Sequence, residues 1–234
     1  MTPVSIMRFD FKPYLFVLFV VASLLLFYTA YDKQTKTLQF EKLVKLFSFQ
    51  DAQYSFRELN KVAALAAIGL ISIVFIFGPL SRLWPNVFAR YLVYRKPVGL
   101  TGFGLALVHA IYSAWEFYGF DMTKMFSSPS FLALVSGIIA LFIFFLMTIT
   151  STQNALRYIG YKKWKALQTC GYIALLFAIA HFFIIESKPA TGFDVRPYGL
   201  LFFYLAIAAL ILRLLIILVK APERKRYEEH FGDV

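Results

Sequence analysis

Six runs of about 20 mostly apolar residues dominate the chain: Tyr14–Tyr31, Val62–Leu80, Val98–Tyr118, Phe131–Ile149, Ala166–Glu186 and Tyr198–Val219. A run of that length matches the ~30 Å hydrocarbon core of a bilayer when helical. Inside lipid every backbone polar group must be satisfied within its own segment, so such runs fold as helices. The reading is an all-α, integral-membrane six-helix bundle, a single membrane domain over residues 1–234. Hydrophobic residues make up 60% of the chain, above the ~45–50% of soluble domains. The first run follows Arg8 and Lys12, as in a signal peptide. Its length and the lack of a small-residue cleavage pattern favour a membrane anchor.

Charge sets the orientation. The net charge of +11 sits in short segments between the apolar runs, so it is assigned to lipid headgroups and not to nucleic acid. Most of the 24 Lys and Arg lie in the N-terminus, the loops after the second and fourth runs, and the C-terminal tail. That side is read as cytoplasmic, giving a multi-pass protein of a bacterial-type inner membrane with both termini inside. Residues 32–60 form the longest connection, expected as an outer loop. Within it Phe40, Leu43, Val44 and Phe47 recur at helical spacing with Lys42 and Lys45 off the stripe. This predicts an amphipathic helix on the outer interface, acting as a lid, a spacer or a docking point.

Two histidines are placed where ionisable groups are rare. His109 and His181 lie within the third and fifth runs, which cross in the same direction. They sit about 17 Å and about 23 Å from the cytoplasmic ends of their helices, so both occupy the middle to outer half. Intramembrane ionisable residues mark function by default, although a lone histidine also serves as a helix–helix hydrogen-bonding group. Each ends or interrupts a stripe of small residues: Gly102, Ala106, His109, Ser113 in one helix; Gly171, Ala174, Ala178, His181 in the other. Such stripes either clear space for a planar macrocycle or let helices pack closely. Two imidazoles at similar depth suit the axial positions of haem iron, and bis-histidine ligation favours electron transfer over oxygen binding. His109 and His181 are therefore the candidate metal ligands, with Gly102, Ala106, Ala174 and Ala178 lining the ring.

Zinc fits less well, because it wants four ligands. The nearest carboxylates, Glu116 and Glu186, lie further toward the outer surface and are read as interfacial, organising a propionate end with Lys124, Lys188 or Arg196. His230 lies in the charged tail and is read as solvated. Cys170 is the only cysteine, so no internal disulfide, CxxC motif or cysteine-ligated cluster exists. "GLTGFGLA" continues into an apolar helix without a preceding strand, against a dinucleotide loop. The segment after the sixth run is too short for a flavin or nicotinamide domain, so reductant is expected from a partner or the lipid phase. Arg157, Lys162, Lys163 and Lys165 anchor the inner loop or meet a donor's phosphates. Trp84, Trp115 and Trp164 fall at span ends, as in an aromatic belt. Arg213 in the sixth run either snorkels to headgroups or binds a quinone carbonyl or cofactor carboxylate in the bundle. A transporter or channel using the two histidines for protons or metal is the alternative; it asks for more polar residues along the runs than these offer.

Two blocks carry a resemblance. "RKPVGLTGFGLALVHAIY" (95–112) and "TITSTQNALRYIGYKKWKALQTCGYIALLFAIAHFF" (148–183) are similar to the histidine-bearing segments of the ferric-reductase-like transmembrane domain family. Within it the chain most resembles the haem-binding membrane subunit of the methionine-sulfoxide reductase system. The likeness spans roughly residues 58–219. It implies six spans, b-type haem held by His109 and His181, and electrons passed from a quinol or a cytoplasmic flavin donor to an outer-side reductase or ferric iron. The family commonly has a further histidine 13 residues before the position of His181. Here that residue is Gln168, and the equivalent step back from His109 reaches Lys96. Thirteen residues is ~20 Å of helix, so one haem, in the outer half, is expected.

Overall fold

A computed structural model describes residues 11–32, 35–49, 51–188, 192–193 and 195–231, without the side chains of 188, 192 and 220–231. His230 and the tail cations therefore lie outside the described side chains. The chain is built of helices: α1 (Lys12–Ser23), α2 (Glu41–Ser48), α3 (Ala52–Leu83), α4 (Pro85–Phe88), α5 (Arg95–Tyr118), α6 (Met122–Phe126), α7 (Phe131–Ile149), α8 (Gln153–Ile159), α9 (Tyr161–Glu186) and α10 (Pro197–Phe231). A 3₁₀ segment, Ala89–Tyr94, joins α4 to α5, and a two-residue antiparallel pair, Ser187–Lys188 with Gly192–Phe193, follows α9.

Five helical stretches are long and apolar enough to cross a bilayer: Ala52–Leu83, Pro85–Tyr118, Phe131–Ile149, Tyr161–Glu186 and Pro197–Val219. The first run of the sequence gives a shorter apolar helix, Lys12–Tyr28, about 26 Å long at 1.5 Å per residue. Its last turn widens to a π-helix over Leu24–Tyr28. That turn is wedged into the bundle: Leu24 is fully buried, and Phe27 stacks on Tyr198 of α10 at 5.8 Å.

α3 is the hub. Two-thirds of its apolar window is buried, against 28% or less for the other four. One face packs Val62, Leu65, Leu70 and Val74 against α1, Val98 of α5 and Phe202 of α10. The opposite face packs Ile71 and Phe75 against Phe144 of α7, Ala174 and Leu175 of α9, and Phe203 of α10. The outer helices turn large apolar side chains outward, among them Leu132, Phe142, Leu176 and Leu214. In water that surface would be a liability; in lipid it is the expected solvent face. The molecule is a multi-pass membrane protein.

The connection expected at 32–60 is shorter than predicted. α3 starts at Ala52, ten residues ahead of the apolar run at Val62, because Asp51 caps it by accepting from the Tyr54 amide at 3.0 Å. Hydropathy hid these nearly three turns because Arg57, Glu58 and Asn60 are polar. Most of their partners lie far away in the sequence. Arg57 pairs with Glu116 of α5 at 2.7 Å, and Glu58 pairs with Arg196 at 2.8 Å and with Lys61 at 2.6 Å. The amphipathic helix exists as α2, but its apolar residues divide. Leu43 and Leu46 are buried, while Phe40, Val44 and Phe47 are exposed. At the other end α10 runs on beyond Val219 to Phe231 as continuous helix, where a tail was expected.

Candidate functional site

His109 on α5 and His181 on α9 come together. Their ring centroids are 6.2 Å apart with the planes at 78°. α5 packs mainly on α3, and α9 packs mainly on α7, so the histidine rings are a main point where these two helices meet.

Each ring is held through Nδ1. The Nδ1–H of His181 donates to the carbonyl oxygen of Ala133 on α7 at 2.7 Å. A carbonyl only accepts, so the proton of a neutral His181 is on Nδ1 and the lone pair is on Nε2. His109 reaches the same tautomer by another route. Asn60 donates from Nδ2 to Ser113 Oγ at 3.0 Å, which turns its Oδ1 toward Nδ1 of His109 at 3.1 Å. Both imidazoles thus offer Nε2 as the free donor atom. This is the arrangement by which second partners orient histidine ligands.

Two positions that support the rings carry no sequence signal of their own. Asn60 lies outside the apolar run and is found only because α3 begins early. Gly137 on α7 lies beneath His181: a Cβ there would come within 2.8 Å of Nδ1. The small-residue stripes serve differently from expectation. At Gly102 a Cβ would meet Ile71 of α3 at 2.9 Å, so its missing side chain admits α3 and is not clearance for a ring. Ala174 is fully buried in the α3–α7–α9 core, and Ala178 packs at its edge. Ala106 is half-buried on the α5 face that leads to His109. Two of the groups read as a propionate end are otherwise engaged. Glu116 takes Gln53 and Arg57, and Arg196 takes Glu58 and the Tyr28 carbonyl.

Below the histidines, between α3, α5, α7, α9 and α10, lies a cavity of about 460 Å³. Gln168 and Lys96, the residues 13 positions before His181 and His109, both line it. Gln168 donates from Nε2 to the Met147 carbonyl at 3.3 Å and is tied to α7. Arg213 neither reaches outward nor lies idle: it lines the cavity, with its guanidinium over the Tyr172 ring at 5.1 Å. Tyr172 in turn donates to the Phe75 carbonyl at 3.0 Å.

Among the described residues no group of three or more His, Cys, Asp or Glu converges. The pair supplies two neutral nitrogen donors and no more, too few for a four-ligand zinc centre. Two donors are what a metal with its own equatorial ring requires. At a centroid spacing of 6.2 Å the two rings are close enough to share one metal. The donor set and its tautomers therefore fit a bis-histidine haem.

The comparison with known families agrees in kind. Residues 63–179 match the model for the ferric reductase like transmembrane component, a span that includes His109, Gln168 and the cavity lining other than Arg213, and stops just before His181. Half the chain is covered, and this protein belongs to the ferric-reductase-like transmembrane family.

Proposed function

We propose that the protein is a b-type haem electron-transfer subunit, with His109 and His181 as the axial ligands of a single haem in the outer half of the membrane. The observation that carries this reading is the Nδ1 anchoring of both rings, at Asn60 and at the Ala133 carbonyl. It leaves two Nε2 lone pairs on facing helices. Bound haem would supply reversible one-electron chemistry at its iron. The chain's own residues fix the ligand tautomers, exclude water with an apolar helix surround, and leave no open coordination position for substrate. Domains of this family generally bind haem.

In this reading Lys12–Tyr28 is a sixth, thin crossing and both termini are cytoplasmic. The helix begins at Lys12 and Pro13, and local thinning of the bilayer covers the length mismatch. Electrons come from a quinol or a cytoplasmic flavin donor and leave to an outer-side reductase, one acting on methionine sulfoxide or on ferric iron, in a bacterial-type inner membrane. The test is the absorption spectrum of the purified protein with a haem-per-chain ratio. One haem per chain and a Soret band that shifts on dithionite reduction are expected, and His109→Ala or His181→Ala each abolish the band. A colourless, well-folded protein expressed with adequate haem overturns the reading.

A further inference from the structure

The cavity below the histidines has a chemistry of its own. Five cations line it: Arg82, Arg95, Lys96, Lys165 and Arg213, from α3, α5, α9 and α10. Among the described residues no carboxylate lines it and none of the five has an ion-pair partner. Elsewhere the protein neutralises its half-buried cations, as Arg196 with Glu58 and Lys42 with Asp32. Five unpaired like charges converging beside apolar walls repel one another and lack full hydration, so the arrangement favours an anion.

The remaining walls say what kind. Arg82, Lys96 and Lys165 are exposed at the α8 end, while Arg95 and Arg213 are half-buried further in. Arg95 is fixed by its Nε–H donating to the Val74 carbonyl at 3.1 Å, which leaves its terminal nitrogens near Gly78 and the Tyr172 hydroxyl. Beyond the cations the cavity continues along α3 to Ile71, past Phe75, Phe103 and Phe144. From Arg82 to Ile71 is about 16 Å of helix. The site is polar and cationic at the mouth and apolar at depth, and its volume is within the ~300–1,000 Å³ range of small-molecule sites.

We propose that this cavity is a binding site for a phosphate-bearing amphiphile, its phosphate held by Arg95 and Arg213 and its apolar or planar body lying toward Phe75 and Phe103. Guanidinium pairs present forked donors matched to phosphate oxygens, and basic pockets between membrane helices take anionic head groups. The ligand comes from one of two sources: an anionic phospholipid of the adjoining leaflet, or a soluble phosphorylated compound entering from the α8 side. The site is independent of the histidine pair and stands whether or not that pair holds haem.

The test uses the full chain in phosphatidylcholine nanodiscs. Inorganic pyrophosphate is titrated in one arm, and in the other phosphatidylglycerol is doped into the discs; native mass spectrometry gives stoichiometry and the thermal midpoint gives stabilisation. One molecule per chain with saturable stabilisation is expected in at least one arm. Pyrophosphate binding assigns a soluble ligand, and response to phosphatidylglycerol alone assigns a lipid. R95Q/R213Q weakens binding at least tenfold. R82Q/K165Q, at exposed positions that spare the helix packing, weakens it about threefold or more and guards against a folding artefact. Any Soret band from the histidine pair is unchanged in all variants. Absence of saturable binding in both arms, or wild-type binding by both double variants, overturns the proposal.

Discussion

Asn60 has the largest leverage of any single residue outside the histidine pair. Its amide is the only described link that fixes the tautomer of His109, and it is buried with Ser113 as its second partner. Partners of this kind are worth roughly 10–100-fold in metal affinity. With haem bound at the histidine pair as proposed, Asn60→Ala is expected to speed its loss to an apomyoglobin acceptor by roughly that factor, with the protein still folded. Asn60→Asp, which keeps the acceptor oxygen, should retain most of the affinity. Equal haem retention in wild type and Asn60→Ala would remove the residue from the site. Gly137→Val acts on the other ring. With a Cβ already within 2.8 Å of His181 Nδ1, it displaces the imidazole from the Ala133 carbonyl. The expected readout is a lost or altered Soret band at unchanged expression. The histidines themselves were legible in the sequence, because an ionisable residue within an apolar run is conspicuous. Asn60 was not: hydropathy placed it in a loop, and its partner lies 49 positions away. Gly102 was misread because a helical stripe shows which face is small but not which neighbour takes that face.

Among the elements, α3 explains how nearly three polar turns belong to a membrane helix. Asp51 starts it, and three polar links to distant parts of the chain hold it: Arg57 to Glu116, Glu58 to Arg196, and Asn60 to His109. The Glu58–Arg196 pair ties this end of α3 to the start of α10. Arg196 also stacks on Tyr28 at 4.6 Å, so three helices meet there. Removing one member of a buried pair leaves the other charge uncompensated, typically a loss of about 3–5 kcal/mol. Glu58→Ala should lower the thermal midpoint in detergent by several degrees, measured by circular dichroism. Asp51→Ala, a lost cap on an exposed turn, should cost only about 1 kcal/mol. An equal effect of the two substitutions would mean that the clamp does not carry this end of the bundle. The same links explain why the helix start was missed from sequence: each polar residue is tolerated by a partner that sequence proximity does not reveal.

At the scale of the molecule, apolar surface and charge are distributed as a bilayer requires. Hydropathy alone identified the crossings that the five long helices provide, and the excess of cations marks one face. That orientation predicts a labelling pattern. In a Cys170→Ser background, Asn154→Cys on α8 should be modified from the cytoplasmic side and Thr123→Cys on α6 from the outer side. Labelling of both from one side would invalidate the crossing by α7 and the topology built on it. What the sequence determined by itself was the class of fold and the two histidines, since length, hydropathy and a misplaced ionisable group are local properties. Only the tertiary structure decided that the two rings face each other with Nε2 free, that Asn60 and Gly137 position them, and that five cations share one cavity at Gln168. Those facts depend on which faces of α3, α5, α7 and α9 meet. Helix rotation and pairing are settled by close packing across the bundle, at contacts such as Gly102 on Ile71, and no single helix encodes them.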